Sequence, residues 1–143
     1  MDRATKEVIA VNIIDKLSRY IMKIRDELAI PYGISPIQLR IIFDLNSNPN
    51  SKITDICQRL QKSTNSISPL IKRLESKGFI EKKRSVDDAR ITYVSLTKKS
   101  NDFIHDLELD IRDYTEPIFK NFTDLELDQI LERFIKICEV IKE

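Results

Sequence analysis

The spacing of apolar residues predicts a chain built mainly of helices. Between about Thr5 and Ala29, apolar residues recur every three or four positions and charged residues take the other side, the pattern of one long amphipathic helix. Pro31 and Gly33 are expected to end this helix. Ser35 is a good N-cap, and a proline follows it at the first helical position, so a second helix is predicted to begin there and to run to about residue 45.

A helix-turn-helix is predicted in the middle of the chain. The turn-forming segment 46–50 precedes a short helix, capped by Ser51 or Thr54, with apolar residues again in helical spacing. A polar turn at 61–63 separates it from a helix over about 65–77, which Gly78 ends. The apolar positions of this second helix are Ile67, Leu70, Ile71 and Leu74. The pattern is typical of a helix-turn-helix, although any helical hairpin shows it too.

A β-hairpin and two more helices follow. Segments 79–84 and 91–96 are rich in strand formers and flank the polar residues 85–90, so a basic hairpin, or wing, is predicted directly after the helix-turn-helix. Thr97 is expected to cap a long helix that Pro117 ends or kinks, and Thr123 and Glu126 form a capping box that opens the last helix. The apolar stripe of the last helix is broad enough to pack on two sides. The predicted fold class is mainly α with a small β-wing, a winged helix-turn-helix flanked by long N- and C-terminal helices.

Length and composition are those of a single globular domain. Of the 143 residues, 41% are hydrophobic and 33% are charged, so the chain can bury a substantial core. No apolar run approaches the roughly 20 residues that a membrane span needs. The first 20 residues carry charges where a signal peptide would be apolar. We therefore expect a cytoplasmic protein with no membrane partner.

The charges are unevenly distributed along the chain. The formal net charge is only +1, but residues 52–99 hold twelve Lys or Arg against five Asp or Glu, a net charge of +7. Residues 100–143 carry a net charge of −7. A basic segment beside an acidic one suggests a surface that binds a polyanion, and chance clustering of surface charge is the alternative.

Few residues suit catalysis or metal binding. Cys57 and Cys138 lie far apart in sequence and His105 is the only histidine, so four zinc ligands cannot be assembled without carboxylates or a second chain. No glycine-rich loop or catalytic triad is evident. We expect no enzyme activity, no cofactor and no metal. Both cysteines are interpreted as small buried hydrophobes, with oxidant sensing as the alternative, and His105 as a surface residue.

The most specific motif lies where the second helix of the helix-turn-helix meets the wing. The sequence reads LESKGFI at 74–80, DAR at 88–90 and VSLT at 94–97. These motifs, together with the predicted order of elements, resemble the MarR family of transcription regulators. In that family the recognition helix ends with Leu-Glu-x-Lys-Gly, and the wing carries Asp-x-Arg before Val-x-Leu-Thr. The resemblance covers nearly the whole chain and implies a homodimer that binds double-stranded DNA.

The outward side of the predicted recognition helix carries candidate DNA contacts. With the apolar residues inward at 100° per residue, the residues that face outward are Asn65, Pro69, Lys72 and Ser76, flanked by Ser66, Ser68 and Arg73. A polar N-terminal half suits base edges and phosphates in the major groove. The predicted contacts on this helix are Ser63, Thr64, Asn65, Ser66, Ser68, Lys72 and Arg73. For Ser63, helix capping and DNA contact are both open.

Pro69 constrains where the recognition helix begins. With Ser63 as N-cap, the proline takes the sixth helical position and removes a backbone hydrogen bond, whereas a start at Asn65 or Ser66 loses little. We expect the later start or a loosened first turn. The SPL sequence at 68–70 is similar to a branch of the family that contains peroxide and virulence regulators, but this chain lacks that branch's sensing cysteine in the first helix.

The wing is predicted to contact DNA through its basic residues. Lys82, Lys83 and Arg84 lie along its first strand, and Arg90 lies at or near its tip. The resemblance implies that Arg90 enters the minor groove while Asp88 holds it. Position 89, often arginine in the family, is alanine here, so weaker minor-groove binding is expected. An exposed hairpin with a solvated charge pair is the alternative.

The first helix and the last two leave more apolar surface than a small winged helix can cover. A two-fold homodimer would bury this surface, in agreement with the family. Segment 34–98 is then the DNA-binding lobe of a single domain, and segments 1–30 and 99–143 form its dimerisation lobe. The residues predicted at the dimer interface are Ile14, Leu17, Ile21, Ile130, Phe134, Ile137 and Ile141.

The predicted function is sequence-specific DNA binding in transcription regulation. A palindromic operator and repression are the family's usual behaviour. The resemblance also implies a small aromatic or phenolic effector, bound between the first, second and fifth helices, to which no residues are assigned; an effector-insensitive protein is the alternative. The alternative function is a winged-helix protein-interaction module that does not bind DNA.

Overall fold

The computed structural model describes residues 1–141 and divides into two compact units, Met1–Leu109 and a second unit that begins at Asp110. Its elements in chain order are α1 (Arg3–Ala29), a 3-10 turn (Ile30–Tyr32), α2 (Pro36–Ser47), β1 (Ser51–Lys52), α3 (Ile53–Arg59), α4 (Thr64–Ser76), β2 (Ile80–Arg84), β3 (Thr92–Leu96), α5 (Lys98–Phe119) and α6 (Asp124–Val140). The predicted fold class is confirmed.

Capping side chains determine where the first two helices begin. The Asp2 carboxylate accepts a hydrogen bond from the Thr5 N–H at 2.8 Å, so α1 begins two residues earlier than predicted. Gly33, with a φ of 66°, ends the 3-10 turn that follows α1. Ser35 and Gln38 form a capping box at the start of α2, with proline in the first helical position as predicted.

The predicted cap of α3 is wrong, because neither Ser51 nor Thr54 fills that role. Lys52 is the N-cap, and its N–H donates to the Asp55 carboxylate at 3.4 Å. Ser51 and Lys52 form the short strand β1, in which Ser51 lies opposite Val94 of β3. This pairing keeps the backbone extended up to the first residue of α3.

The wing consists of β2, β3 and the loop between them, within an antiparallel sheet of order β1-β3-β2. β2 pairs with β3 from Ile80 opposite Leu96 to Arg84 opposite Thr92. Because side chains alternate between the two faces of a strand, Ile80 shares its face with the buried Val94. This face of the sheet therefore closes part of the apolar core.

The core of the first unit is centred on the helix-turn-helix. Of the four residues of α4 predicted to face inward, three are fully buried and Leu70 is half-buried. The largest fully buried apolar side chains of the unit are Ile41, Ile42, Leu45, Ile56, Ile67, Ile71, Leu74, Val94 and Leu107. Burial of one whole side of α4 fixes which of its residues face the solvent.

The second unit contains the end of α5, with Pro117, and α6. Thr123 and Glu126 form the predicted capping box, and hydrogen bonds from the Thr123 N–H and hydroxyl lower the pKa of the Glu126 carboxyl. Cys138, interpreted as a buried hydrophobe, is instead exposed in the single chain, because residues 131–140 of α6 are exposed on every side. None of the helices over residues 1–141 is long and apolar enough to cross a membrane.

Candidate nucleic-acid interface

The recognition helix α4 begins at a serine cap. The Ser63 Oγ accepts a hydrogen bond from the Ser66 N–H at 3.2 Å and lies 2.9 Å from the Ser66 Oγ. The Ser63 carbonyl accepts hydrogen bonds from the N–H groups of Ser66 and Ile67, both at 3.1 Å. Of the two roles left open for Ser63, capping is therefore present in the structure.

The expected later start of α4 is wrong. The helix begins at Thr64, so Pro69 takes the sixth helical position, and its missing N–H deprives the Asn65 carbonyl of its usual helical donor. The side-chain cap and the two hydrogen bonds to the Ser63 carbonyl stabilise the early start. The bond from Ser66 spans three residues, so the first turn is tightened, not loosened.

Most of the α4 residues predicted to contact DNA face the solvent. The exposed ones are Ser63, Thr64, Asn65, Ser66, Lys72 and Arg73. Ser68 is half-buried, and the Thr64 hydroxyl lies 3.8 Å from the Sγ of the buried Cys57, between α3 and α4. The exposed side of α4 is therefore polar in its first half and cationic in its second.

The residues of the sequence signature hold the end of α4 to its neighbours. Lys82 Nζ donates to Glu75 Oε2 at 2.7 Å, which ties β2 to the recognition helix, so Lys82 is engaged within the protein. Lys77 Nζ donates to the carbonyl of Gly33, in the turn before α2. Gly78 follows with a φ of 79°, the left-handed backbone expected after a helix C-cap. The signature thus fixes the relative position of α4, the wing and the start of α2.

The wing loop is stabilised by its own polar side chains. The Ser85 Oγ accepts hydrogen bonds from the N–H groups of Asp87 and Asp88 at 3.2 and 3.3 Å. The Asp88 carboxylate accepts a hydrogen bond from the Arg90 N–H at 2.9 Å. The predicted contact between Asp88 and Arg90 is therefore made to the backbone of Arg90, not to its guanidinium, because the carboxylate closes a local turn. The Arg90 side chain is exposed near the end of the loop.

The basic residues that follow α1 in the first unit fall mainly into two groups. One group is held within the protein by ion pairs or hydrogen bonds, namely Arg59, Lys77, Lys82, Lys98 and Lys99. The second group is exposed and makes no ion pair with the described residues; it includes the predicted DNA-contacting cations Lys72, Arg73, Lys83, Arg84 and Arg90. Arg40 and Lys62 share these properties and were missed, since Arg40 precedes the basic segment and Lys62 lies in a turn.

An ion pair that sequence reasoning also missed fixes α3 to α2. Arg59 donates to both carboxylate oxygens of Asp44 at 2.7 Å, and to the Ser51 hydroxyl at 2.7 Å. The Asp44 side chain is 9% exposed and that of Arg59 is 33% exposed. The hydrogen bonds to Asp44 raise the pKa of Arg59. The pair anchors the two helices on which α4 rests.

The described residues offer little for metal chemistry. Within 1–141, no group of three or more His, Cys, Asp or Glu side chains could hold a metal ion. Cys57 is buried and His105 is exposed, as predicted.

A helix-turn-helix followed by a β-wing defines the winged-helix class of DNA-binding folds. Over residues 23–107, the chain matches the family described as transcriptional regulator SarA/Rot. The chain belongs to this family of transcriptional regulators, winged-helix proteins of the MarR type.

Individual relatives and solved structures agree with this assignment. The chain is 23% identical to the uncharacterized HTH-type transcriptional regulator YcgE of Bacillus subtilis, over 99% of this chain and 92% of the relative. It is 25% identical to the homoprotocatechuate degradative operon repressor of Escherichia coli, over 74% of each chain. The fold is similar to that of apo MarR from E. coli, with a TM-score of 0.72 and 17% identity over 88% of this chain and 93% of the other. It is also similar to a mutant of MepR from S. aureus bound to an oligodeoxyribonucleotide, with a TM-score of 0.67 and 16% identity over 93% and 98%.

Proposed function

We propose that this protein is a sequence-specific DNA-binding repressor that acts as a homodimer on a palindromic operator. The observation that carries the proposal is the exposed side of α4, where Asn65 and Ser66 precede Lys72 and Arg73. Donors and acceptors in the first half of an exposed helix suit base edges in the major groove, and cations beyond them suit phosphates. The proposed contacts on α4 are Ser63, Thr64, Asn65, Ser66, Ser68, Lys72 and Arg73.

The wing is proposed to contact the adjacent minor groove. The Asp88 carboxylate fixes the backbone at Arg90, whose side chain remains exposed. A single arginine on a braced loop suits a narrow, A·T-rich minor groove, where the negative potential is strongest. Lys83 and Arg84 would neutralise phosphates along β2. In this proposal, residues 34–98 form the DNA-binding lobe. Residues 1–30 and 99–143 form the dimerisation lobe.

Dimerisation is supported by apolar side chains that the single chain leaves exposed on α1 and α6. Leu17 is 46% exposed, Phe134 is 42% exposed and Ile137 is 41% exposed, and extended apolar surface of this kind marks interaction sites. The proposed interface comprises Ile14, Leu17, Ile21, Ile130, Phe134, Ile137 and Ile141. Two-fold pairing would present two recognition helices to half-sites about 34–36 Å apart.

The names of two similar proteins support the roles of DNA binding and repression. The E. coli relative is named a repressor, and the MepR structure contains an oligodeoxyribonucleotide. Both properties belong to those proteins, and we extend them to this chain because the exposed side of α4 has the polar and cationic character that they require.

A small aromatic or phenolic effector is proposed to release the DNA. A cleft of about 350 Å³ in the first unit is lined by the rings of Tyr32, Phe79 and Phe103, with two lysines and two aspartates beside them. One of these lysines, Lys99, lies 4.6 Å from the centre of the Phe79 ring and donates to the Lys77 carbonyl, after the end of α4, at 2.6 Å. An aromatic anion that bound Lys99 would break this hydrogen bond. It would then favour the position of α4 to which it binds more tightly, by the difference between its affinities for the two positions.

Selection of bound duplexes from a random pool tests the proposal. A palindromic consensus is expected, and both Lys72→Ala and Arg90→Ala should weaken binding to it. Lys120→Ala is the matched control, because this exposed lysine lies in the second unit, outside the proposed DNA-binding lobe, and should leave affinity unchanged. Negligible affinity of the wild type for any duplex at low salt would favour the protein-interaction alternative and reject the proposal.

Two measurements test the finer parts of the proposal. Sedimentation equilibrium should return about twice the chain mass of 16.7 kDa, and a monomer would reject the dimer. Transcription in vitro from a promoter that overlaps the selected site should fall when the protein is added, and a rise would make it an activator.

A further inference from the structure

A second cleft lies beside the recognition helix and is lined by residues that the proposed DNA contacts largely leave out. It has a volume of about 440 Å³ and is lined by residues of α2, of the turn before α4 and of the first half of α4. Its apolar lining includes Ile37 and Leu70, both half-buried. Its polar lining comes from Arg40, Lys62 and Ser66, all exposed. The cleft thus combines an aliphatic surface with two cations from different elements.

The charge of this cleft points to an anionic occupant. Neither Arg40 nor Lys62 forms an ion pair with residues 1–141, and no carboxylate is among the lining residues. A ligand that fits must therefore present negatively charged acceptors together with an apolar body. The backbone of DNA has this chemistry, since phosphate oxygens accept hydrogen bonds from guanidinium and ammonium groups and the C–H surface of deoxyribose packs against aliphatic side chains.

The position of the cleft also favours DNA over another anion. Ser66 lines the cleft and belongs to the exposed first turn of α4 that is proposed to enter the major groove. The cleft is therefore continuous with that surface, and a strand bordering the major groove would bring its backbone to Arg40 and Lys62. We infer that these two residues clamp one backbone phosphate in each half-site. The inference rests on the proposed DNA-binding function, and the clamp would set the position of α4 without reading sequence.

The salt dependence of binding tests the clamp. Arg40→Ala and Lys62→Ala should each weaken binding severalfold, and together about tenfold or more near 0.1 M salt, equally for the selected duplex and for a random one. The double variant should reduce the slope of log K against log salt by about 0.9 for each phosphate released. Both side chains are exposed, so circular dichroism should show unchanged folding. Lys120→Ala, in the second unit, controls for the loss of a surface charge elsewhere.

Single neutral methylphosphonates, placed in turn along the selected duplex, locate the clamped phosphate. One substitution per half-site should weaken the wild type and have no further effect on the double variant. A double variant that binds DNA with wild-type affinity and salt slope would overturn the clamp, and this is the result expected if the cleft serves a small anion or a protein. A double variant that loses as much affinity as the wild type at every substituted phosphate would also overturn it. A wild type without affinity for any duplex would overturn the proposed function itself.

Discussion

Substitution of Ser63 separates its capping role from its proposed nearness to DNA. In Ser63→Ala, the Ser66 N–H loses its side-chain acceptor at 3.2 Å but keeps the Ser63 carbonyl at 3.1 Å, and the Ser66 hydroxyl loses its contact at 2.9 Å. Loss of a serine N-cap costs about 1 kcal/mol. For a chain of this length, that change lowers Tm by about 3–5 °C. Because no charge changes, DNA affinity should fall only as far as the first turn of α4 frays or a direct contact is lost.

Ser63→Asp keeps the capping acceptor and adds a negative charge to the turn that faces DNA. Stability should match or slightly exceed that of the wild type, because aspartate is as good an N-cap as serine and interacts favourably with the helix dipole. A phosphate about 6 Å away would repel the carboxylate by roughly 0.7 kcal/mol in water. Two protomers double this, so affinity should fall about tenfold at low salt. Screening should remove much of the difference at about 0.3 M salt.

Thermal unfolding and fluorescence anisotropy with a labelled duplex, at two salt concentrations, measure these effects. Ser63→Asn is the matched control, since asparagine caps as well as aspartate and carries no charge. If Ser63→Asp binds as tightly as Ser63→Asn at low salt, the first turn of α4 does not face the phosphates and the proposed docking is wrong. If Ser63→Ala is as stable as the wild type, the cap contributes nothing.

Three further results are expected. Gly78→Ala should lower the free energy of unfolding by about 1–2 kcal/mol in chemical denaturation, because the backbone there has a φ of 79°; no loss would contradict this. Arg59→Ala should cost about 3 kcal/mol and Asp44→Ala only about 1–2 kcal/mol, since the first change strands a carboxylate that is 9% exposed; equal losses would refute the asymmetry. In an NMR titration, the pKa of Glu126 should lie below its ordinary value of about 4.3 and rise in Thr123→Ala. Its contribution to stability is present above that ordinary value and is lost as the pH falls through the lowered pKa. Because the Thr123 N–H still donates in Thr123→Ala, an unchanged pKa in that variant would exclude only the hydroxyl as a cause.

Local sequence pattern predicted most of the first unit, because the signals that specify its helices each span only a few residues. The N-cap at Ser35, the helical spacing around Ile67 and the glycine at position 78 each specify a local backbone state, and each is found as predicted. The start of α4 was mispredicted for the same reason. The cost of Pro69 alone favours a later start, whereas Ser63 offers both a side-chain and a backbone acceptor to the first turn.

Features that depend on distant partners could not be predicted from local pattern. Asp44 and Arg59 are 15 residues apart, and only the packing of α2 against α3 brings them together. Serine is a common N-cap, but Ser51 pairs with Val94, which lies 43 positions later in the sequence, and is therefore a strand residue. The same holds for Arg40 and Lys62, which become neighbours across a cleft only once α2 and α4 are in place.

The distribution of internal contacts explains why the motif that identifies the family cannot identify the operator. Glu75 pairs with Lys82 of β2, Lys77 donates to the turn before α2, and Gly78 adopts a left-handed backbone. Any chain with this architecture needs these residues, whatever DNA sequence it binds. Asn65 and Lys72 are exposed, and their side chains make no hydrogen bond or ion pair with the described residues, so the fold leaves them free to vary with the DNA. Substitution of Asn65 and Lys72 by other residues should therefore change the selected DNA sequence while leaving Tm unchanged. Glu75→Ala, in contrast, should lower Tm and weaken binding to all duplexes alike.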